Sequence, residues 1–195
     1  MNALFRWDTA LFRFINGLPH SPFLDGVAAT LSGIGEGGFV WIIAGLYLII
    51  REEKRDHGFL FPITSVGILG YILSDTLKNF FGRMRPDSLS QTIVVGSIPS
   101  GYSFPSTHTT LSFAYAFLLS YKEPALRIWF FILAALIGFS RIYLGHHFPF
   151  DVFAGVMLGF AIGWGIWAIY NRKHDQTKRT GTPHGPRRSG RGKTY

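Results

Sequence analysis

Four long apolar segments constrain the fold of this chain more than any other feature. They carry almost no charged side chains and cover residues 58–77, 109–121, 126–139 and 152–170. A helix needs about 20 residues, at about 1.5 Å each, to cross the roughly 30 Å hydrocarbon core of a bilayer. The last segment has that length and carries Gly155, Gly159 and Gly163 at every fourth position, a spacing that lets helix backbones approach closely in lipid. The pattern predicts an all-α membrane protein.

The first 50 residues are also apolar but less regular. Residues 39–50 (FVWIIAGLYLII) are short for a span, and residues 24–31 extend them as a broken or interfacial segment. Before them, apolar side chains recur at the spacing of an amphipathic helix that lies at the interface or packs on the protein, namely Leu4, Trp7, Leu11 and Phe14. We therefore expect a polytopic transmembrane bundle of about five to six helices.

The formal net charge of +8 is concentrated at the C-terminus. Residues 171–195 hold eight Lys or Arg against one acid, whereas residues 1–170 hold eleven bases against ten acids. This composition predicts a membrane-embedded domain over 1–170 and a basic, disordered tail over 171–195. The positive-inside rule places that tail in the cytoplasm. A nucleic-acid partner is not expected, although binding of nucleic acid or anionic lipid by the tail is the alternative use of these charges.

Three polar clusters stand at the ends of the apolar segments, at residues 78–86, 104–108 and 140–151. With the tail inside the cell, helix alternation brings all three clusters to the extracytoplasmic face. Charged groups near lipid are costly and usually serve a function. The site of a multi-pass protein of the plasma membrane is therefore expected at that face.

The first cluster supplies two cations. Lys78 brings a flexible ammonium group and Arg85, held by Pro86, brings a planar guanidinium, and the two complement a phosphate as point charge and fork. Arg83, between them, is assigned to contact with lipid headgroups.

The second cluster reads as the start of a helix. Pro105 ends the preceding loop, and Ser106 or Thr107 can cap the backbone amides that follow. A helix N-terminus attracts anions, and His108 stands at this opening with an intrinsic pKa suited to proton transfer.

The third cluster pairs a histidine with a carboxylate. His147 and Asp151 are four residues apart, a spacing that can fix the imidazole tautomer and leave the other nitrogen free to attack. Arg141 adds a guanidinium, and His146 is interpreted as structural. A metal site built from the histidines and Asp151 is a weaker alternative, because three fixed cations would repel a divalent ion.

These clusters resemble the signature of the type 2 phosphatidic acid phosphatase superfamily, which also includes bacterial acid phosphatases and vanadium haloperoxidases. The matching positions are Lys78, Arg85, Pro86, Pro105, Ser106, His108, Ser140, Arg141, His147 and Asp151. Family members often have glycine where this chain has Thr107, a difference that bears on substrate fit more than on reaction type.

The resemblance implies a metal-independent phosphatase that needs no cofactor and forms a phosphohistidine. The implied catalytic residues are His147 as nucleophile, Asp151 as its partner and His108 as the acid and base. The implied phosphate-binding residues are Lys78, Arg85, Ser106, Thr107 and Arg141. On this interpretation His147 attacks phosphorus while the cations neutralise the phosphate oxygens.

The expected substrate is a lipid. The helix that starts at Ser106 has about 15 residues, or about 22 Å, so its first turn should lie below the outer headgroups, within sideways reach of a lipid. The stretches FPSTHTT and GHHFPFDV are most similar to bacterial undecaprenyl diphosphate phosphatases. Phosphatidylglycerophosphate and phosphatidate are the alternative substrates, and a lipid-phosphate binder or transporter is the non-enzymatic alternative. The sequence leaves the oligomeric state open.

Overall fold

The computed structural model describes residues 3–51 and 57–180, which fold entirely into helices and connecting loops. The described residues contain seven α-helices and no strand, so the all-α prediction is confirmed. The helices are α1 (Ala3–Asn16), α2 (Pro22–Ile34), α3 (Phe39–Arg51), α4 (Leu60–Phe81), α5 (Thr107–Lys122), α6 (Arg127–Tyr143) and α7 (Pro149–Thr180).

Three helical segments of the described part are long and apolar enough to cross a bilayer. They are Leu60–Ser88, Pro124–Tyr143 and Pro149–Arg172. A fourth candidate is the pair formed by α2 and α3, which meet at an angle of 50°. Gly37 and Gly38 lie at this break with φ of +57° and +78°, values that glycine adopts without the steric cost of a side chain.

Helix α5 lies at the centre of the bundle, in contact with α4, α6 and α7. Its 16 residues extend about 24 Å, less than the hydrocarbon thickness. Leu111, Ala114 and Leu118 of this helix are fully buried among the other helices. Because its neighbours cover α5, the length of the helix is not set by the bilayer.

The glycine stripe of α7 packs directly on the backbone of α5. A Cβ atom placed on Gly155, Gly159 or Gly163 would lie 2.9, 2.6 or 2.9 Å from a backbone carbonyl oxygen of α5 or of Ser106, the residue that caps it. No side chain larger than hydrogen fits at those distances. The close approach that the fourfold spacing predicts is thus present, and it joins two of the motif-bearing helices.

Helix α7 runs ten residues past the domain boundary expected at residue 170. Extending an existing helix is much less costly than nucleating a new one, so residues 171–180 continue the helix despite their polarity. The remainder of the expected tail, 181–195, lies outside the described residues.

Helix α1 is amphipathic, as its spacing predicts, with one exposed face and one face buried against the protein. Its apolar stripe, including Trp7 and Phe14, is exposed, whereas Asp8, Phe12 and Asn16 are buried against the protein. The ring of Phe12 packs edge-on against Phe148, with 5.3 Å between the ring centroids. Helix α1 therefore docks on the loop that precedes α7.

Candidate active site

The three motif clusters converge on one cavity of about 320 Å³. Six of the eight predicted site residues line it, namely Lys78, Arg85, Thr107, His108, Arg141 and His147. The other two, Ser106 and Asp151, are fully buried behind its wall. The sequence prediction that helix tips would bring these side chains together is thus matched by the geometry.

The C-terminus of α4 positions two cations. Gly82 ends the helix in a left-handed conformation, with φ of +59°, and the chain then turns back so that Arg85 enters the cavity. Lys78 Nζ donates a hydrogen bond to the carbonyl of Tyr102 (3.0 Å), and Arg85 Nε donates one to the carbonyl of Gly101 (2.9 Å). The loop carbonyls therefore orient both side chains at the cavity, which both of them line.

Arg141 enters the cavity from the last turn of α6. Its side chain is only 3% exposed, and Nη1 donates a hydrogen bond to Ser32 Oγ of α2. Its Nε and Nη2 atoms have no hydrogen-bond partner in the described structure. A buried guanidinium is costly unless an anion compensates it, so this side of the cavity favours an anionic ligand.

The start of α5 forms the opposite wall, with Thr107 and His108 facing the cavity. Ser106 lies behind them: its amide donates to the carbonyl of Asp151 (3.0 Å), and its hydroxyl accepts from Thr109 Oγ1 (3.0 Å). In this arrangement Ser106 joins α5 to α7, and its side chain does not line the cavity.

His147 lies between the cavity and Asp151. Its Nδ1 is 3.5 Å from Asp151 Oδ2, and its Nε2 lies 3.4 Å from Arg85 Nη1. His147 is 2% exposed and Asp151 is fully buried. The separation of 3.5 Å between Nδ1 and Oδ2 is too long for a well-formed hydrogen bond. The carboxylate therefore lies next to the imidazole without a hydrogen bond to it.

Burial and the nearby cations keep His147 unprotonated. Burial is the largest cause, followed by the guanidinium groups of Arg141 and Arg85, and together they hold the pKa of His147 well below its usual value. A neutral imidazole has a free lone pair, which a nucleophile requires. His146 next to it points away, with Nε2 3.2 Å from the carbonyl of Val95, in agreement with its structural interpretation.

Arg83 contacts two buried carboxylates, so its assignment to lipid headgroups is wrong. Its Nη1 lies 2.6 Å from Asp151 Oδ1 and its Nη2 lies 2.5 Å from Asp8 Oδ2, and its guanidinium stacks over the ring of Phe148 at 4.2 Å. Two buried anions attract a cation more strongly than solvated headgroups do. The signal that sequence reasoning missed was Asp8, an acid on the face of α1 that is buried against the protein.

A metal site needs several ligating side chains close together. Within residues 3–51 and 57–180, no three His, Asp or Glu side chains lie close enough together to hold a metal ion.

A lipid-facing groove of about 520 Å³ adjoins the cavity. It is lined by apolar side chains of α3, α4 and α5, among them Ile42, Ile63, Ile68 and Ile72. The groove and the cavity share Gly37, Tyr71 and Leu111. A polar, cationic pocket thus lies directly beside an apolar groove between helices.

Comparison with known proteins agrees with this geometry. The chain is 28% identical over 186 residues to a lipid A 4'-phosphatase of Bacteroides thetaiotaomicron. This match covers 88% of this chain and 79% of that protein. It is 31% identical over 158 residues to an undecaprenyl-diphosphatase of Sulfolobus acidocaldarius, covering 78% and 73% of the two chains.

Two solved structures share the fold. The transmembrane PAP2 type phosphatidylglycerolphosphate phosphatase of Bacillus subtilis superposes with a TM-score of 0.72 at 25% identity, covering 88% of each chain. LpxE of Aquifex aeolicus superposes with a TM-score of 0.70 at 34% identity, covering 82% of this chain and 94% of that one.

The family model of the PAP2 superfamily matches residues 59–175, a range that contains all three motif clusters. The resemblance inferred from the motifs is therefore confirmed: the chain belongs to the PAP2 superfamily and is one of its membrane phosphatases.

Proposed function

We propose that this protein hydrolyses the terminal phosphate of a lipid diphosphate of the undecaprenyl diphosphate type, through a phosphohistidine intermediate. The observation that carries the proposal is that the cationic cavity and the apolar groove lie side by side and share the lining residues Gly37, Tyr71 and Leu111. An amphiphile with a phosphorylated head and a long hydrocarbon chain matches both parts. The Sulfolobus acidocaldarius relative, an undecaprenyl-diphosphatase, supports the same class.

The first half-reaction forms a bond between His147 Nε2 and the terminal phosphorus. As this bond forms, the bond from phosphorus to the bridging oxygen breaks, and His108 gives its proton to the departing lipid phosphate. The positive charge that develops on His147 is stabilised by Asp151, which lies 3.5 Å from its other nitrogen.

The second half-reaction releases phosphate. His108, now unprotonated, takes a proton from a water molecule as the water oxygen attacks phosphorus, and the bond between phosphorus and His147 breaks. Throughout, the fixed cations neutralise the phosphate oxygens, and the residues in this role are Lys78, Arg85 and Arg141. The amide of Thr107, at the N-terminus of α5, adds a donor for the same oxygens.

The proposed orientation places this site at the extracytoplasmic face of the plasma membrane. Support comes from helix alternation and from the concentration of Lys and Arg in residues 171–195, which favours a cytoplasmic C-terminus. A lipid can then reach the cavity sideways through the groove, without leaving the bilayer.

A lipid phosphomonoester is the second candidate substrate, because the Bacteroides thetaiotaomicron relative, a lipid A 4'-phosphatase, covers more of the chain. Phosphate release from purified full-length protein in detergent separates the candidates. The panel contains undecaprenyl diphosphate, lipid A, phosphatidylglycerophosphate and phosphatidate, with H147A as the inactive control. Preference for the diphosphate supports the proposal, preference for a monoester supports the second candidate, and binding of these lipids without phosphate release supports a binder or transporter.

A further inference from the structure

Helix α1 reaches the active site through one ion-pair network. Arg83 stands between Asp8 of α1 and Asp151 of α7, at 2.5 Å and 2.6 Å. The guanidinium uses separate nitrogen atoms, Nη2 and Nη1, for the two carboxylates. A planar fork of this kind fixes both partners in distance and in angle.

Both carboxylates of the network are buried, Arg83 is half-buried, and the remaining carboxylate oxygens are satisfied. Asp8 is 1% exposed, and its Oδ1 accepts a hydrogen bond from the amide of Phe150 (2.9 Å). Asp151 Oδ2 accepts one from the amide of Phe148 (2.8 Å). Both carboxylates are therefore bound by backbone amides from the loop before α7 and the first turn of α7. Arg83 is the cation that compensates their buried negative charge.

We propose that Arg83 and Asp8 are positioning residues of this phosphatase: they set the place and the charge of Asp151 beside His147, and they make α1 part of the catalytic apparatus. This inference rests on the proposed role of His147 as the nucleophile. Neither residue touches the cavity, so each acts through Asp151.

Asp151 is shared between Arg83 and His147. Arg83 binds Oδ1, which leaves Oδ2 facing His147 Nδ1 at 3.5 Å. While Arg83 compensates the carboxylate, its pull on a proton of His147 is weak, and the imidazole stays neutral. Once His147 bonds to phosphorus and gains positive charge, Oδ2 is the adjacent anion and stabilises it.

The protonation of His147 depends on all the charged groups around it. Asp151 of α7 favours the protonated form. The groups that oppose protonation are Arg141 of α6, Arg85 and Lys78 from the end of α4, and the neighbouring His146. His108 of α5 faces it across the cavity. Arg83 acts on this balance by compensating Asp151.

Two substitutions at the network should shift the acid limb of the pH–activity profile in opposite directions. In R83Q, Asp151 loses its compensating cation, so the pKa of His147 rises and the limb moves to higher pH. In D8N, Arg83 is released to pair more fully with Asp151, so the limb moves to lower pH. A residue that only stabilises the fold would lower activity without these opposite shifts.

The test measures kcat and KM against pH for purified full-length protein in detergent, with the lipid phosphate that the wild type hydrolyses. R83Q and D8N should each lower kcat by about tenfold to a hundredfold, the cost expected for a small misplacement of a reacting group, with little change in KM. R83K keeps the charge and should restore the wild-type position of the acid limb, although a single ammonium cannot bridge both carboxylates.

The matched control is D25N. Asp25 of α2 also ties the N-terminal region to the bundle, through His20 (2.7 Å) and the Tyr143 hydroxyl (2.8 Å), but it does not contact Asp151. D25N should keep the wild-type kcat and acid limb even if it unfolds at a lower temperature.

The outcomes separate this inference from the proposed function. Wild-type turnover with an acid limb that stays in place in both R83Q and D8N would overturn the role of Arg83 and Asp8 alone. Wild-type protein that hydrolyses no lipid phosphate would overturn the proposed function. If R83Q does not fold, the test rests on D8N, because Asn preserves the size of the Asp side chain. An unshifted acid limb of the pH–activity profile, or an unchanged kcat, in D8N would reject the proposal.

Discussion

The Oδ2 atom of Asp151 lies 3.5 Å from Nδ1 of His147, four residues earlier in the loop before α7, while its Oδ1 is bound by Arg83 at 2.6 Å. The catalytic carboxylate is thus shared unequally between a permanent cation and an imidazole that becomes cationic only during the reaction. Its stronger contact is with Arg83, which explains how a buried acid can stand beside a neutral histidine.

Removing the nucleophile should cost more than removing its partner. H147A should lower kcat by about 10⁴-fold or more, because no other imidazole is placed to form the bond to phosphorus, whereas D151N should lower it less. A rapid quench in alkaline SDS, in which the phosphorus–nitrogen bond of a phosphohistidine survives, should trap a labelled phosphoenzyme in the wild type and none in H147A. A labelled H147A protein would contradict the assignment of His147.

Acid should destabilise the fold through His146. Burial lowers the pKa of this residue to about 4, whereas an unfolded chain has a histidine pKa of about 6.5. The unfolded state therefore binds the extra proton first, so the stabilising effect is complete above pH 6.5 and is lost as the pH falls toward 4. Thermal unfolding midpoints in detergent should decline over this window, and less steeply in H146Q. Equal slopes in the two proteins would refute the assignment.

The contact between α5 and α7 should not tolerate a methyl group. In G159A the new Cβ would lie 2.6 Å from a backbone carbonyl oxygen of α5, and overpacking of this kind costs about 1–3 kcal/mol. The thermal midpoint should fall by several degrees. G165A is the matched control on the same helix, since a Cβ there meets nothing within 4 Å; a comparable loss in G165A would show that the effect is not steric.

Blocking the groove should affect lipid substrates selectively. I72W places a bulky ring in the apolar groove and should raise KM for a long-chain lipid phosphate while leaving turnover of a short, water-soluble phosphoester unchanged. L136W is the control, because Leu136 is an exposed residue of α6 outside the groove; it should leave both activities unchanged. Equal effects of I72W on both substrates would show that the hydrocarbon chain does not use this groove.

Chelation should leave activity intact. The cavity already holds three fixed cations, and a divalent ion would be repelled by them at close range. Turnover should be the same before and after dialysis against a chelator, as measured by phosphate release. Loss of activity that zinc restores would favour a metal mechanism instead.

The motif residues could be predicted from sequence because their positions follow from helix ends. Lys78, His108 and His147 each stand where an apolar segment begins or stops, so alternation alone places them at one level. Arg83 and Asp8 could not be predicted in this way. Their pairing depends on where α1 docks, and that docking is decided by packing of Phe12 on Phe148 rather than by any local pattern.

Two further features of the fold were also outside the reach of local patterns. The 16 residues of α5 show the apolar composition of a span, but hydropathy does not distinguish a helix covered by lipid from one covered by other helices. The extension of α7 through Thr180 depends on continuation from a formed helix, which a polar composition does not rule out.

The glycine stripe has a consequence for how the enzyme works in a fluctuating bilayer. Because α7 contributes only glycine at Gly155, Gly159 and Gly163, its backbone lies directly against α5. His108 at the start of α5 is therefore held at a fixed separation from Asp151 at the start of α7. Compression or thinning of the surrounding lipid would tilt the two helices as a pair rather than slide them apart. Reaction geometry is thereby insulated from membrane mechanics at the point where a fraction of an ångström matters.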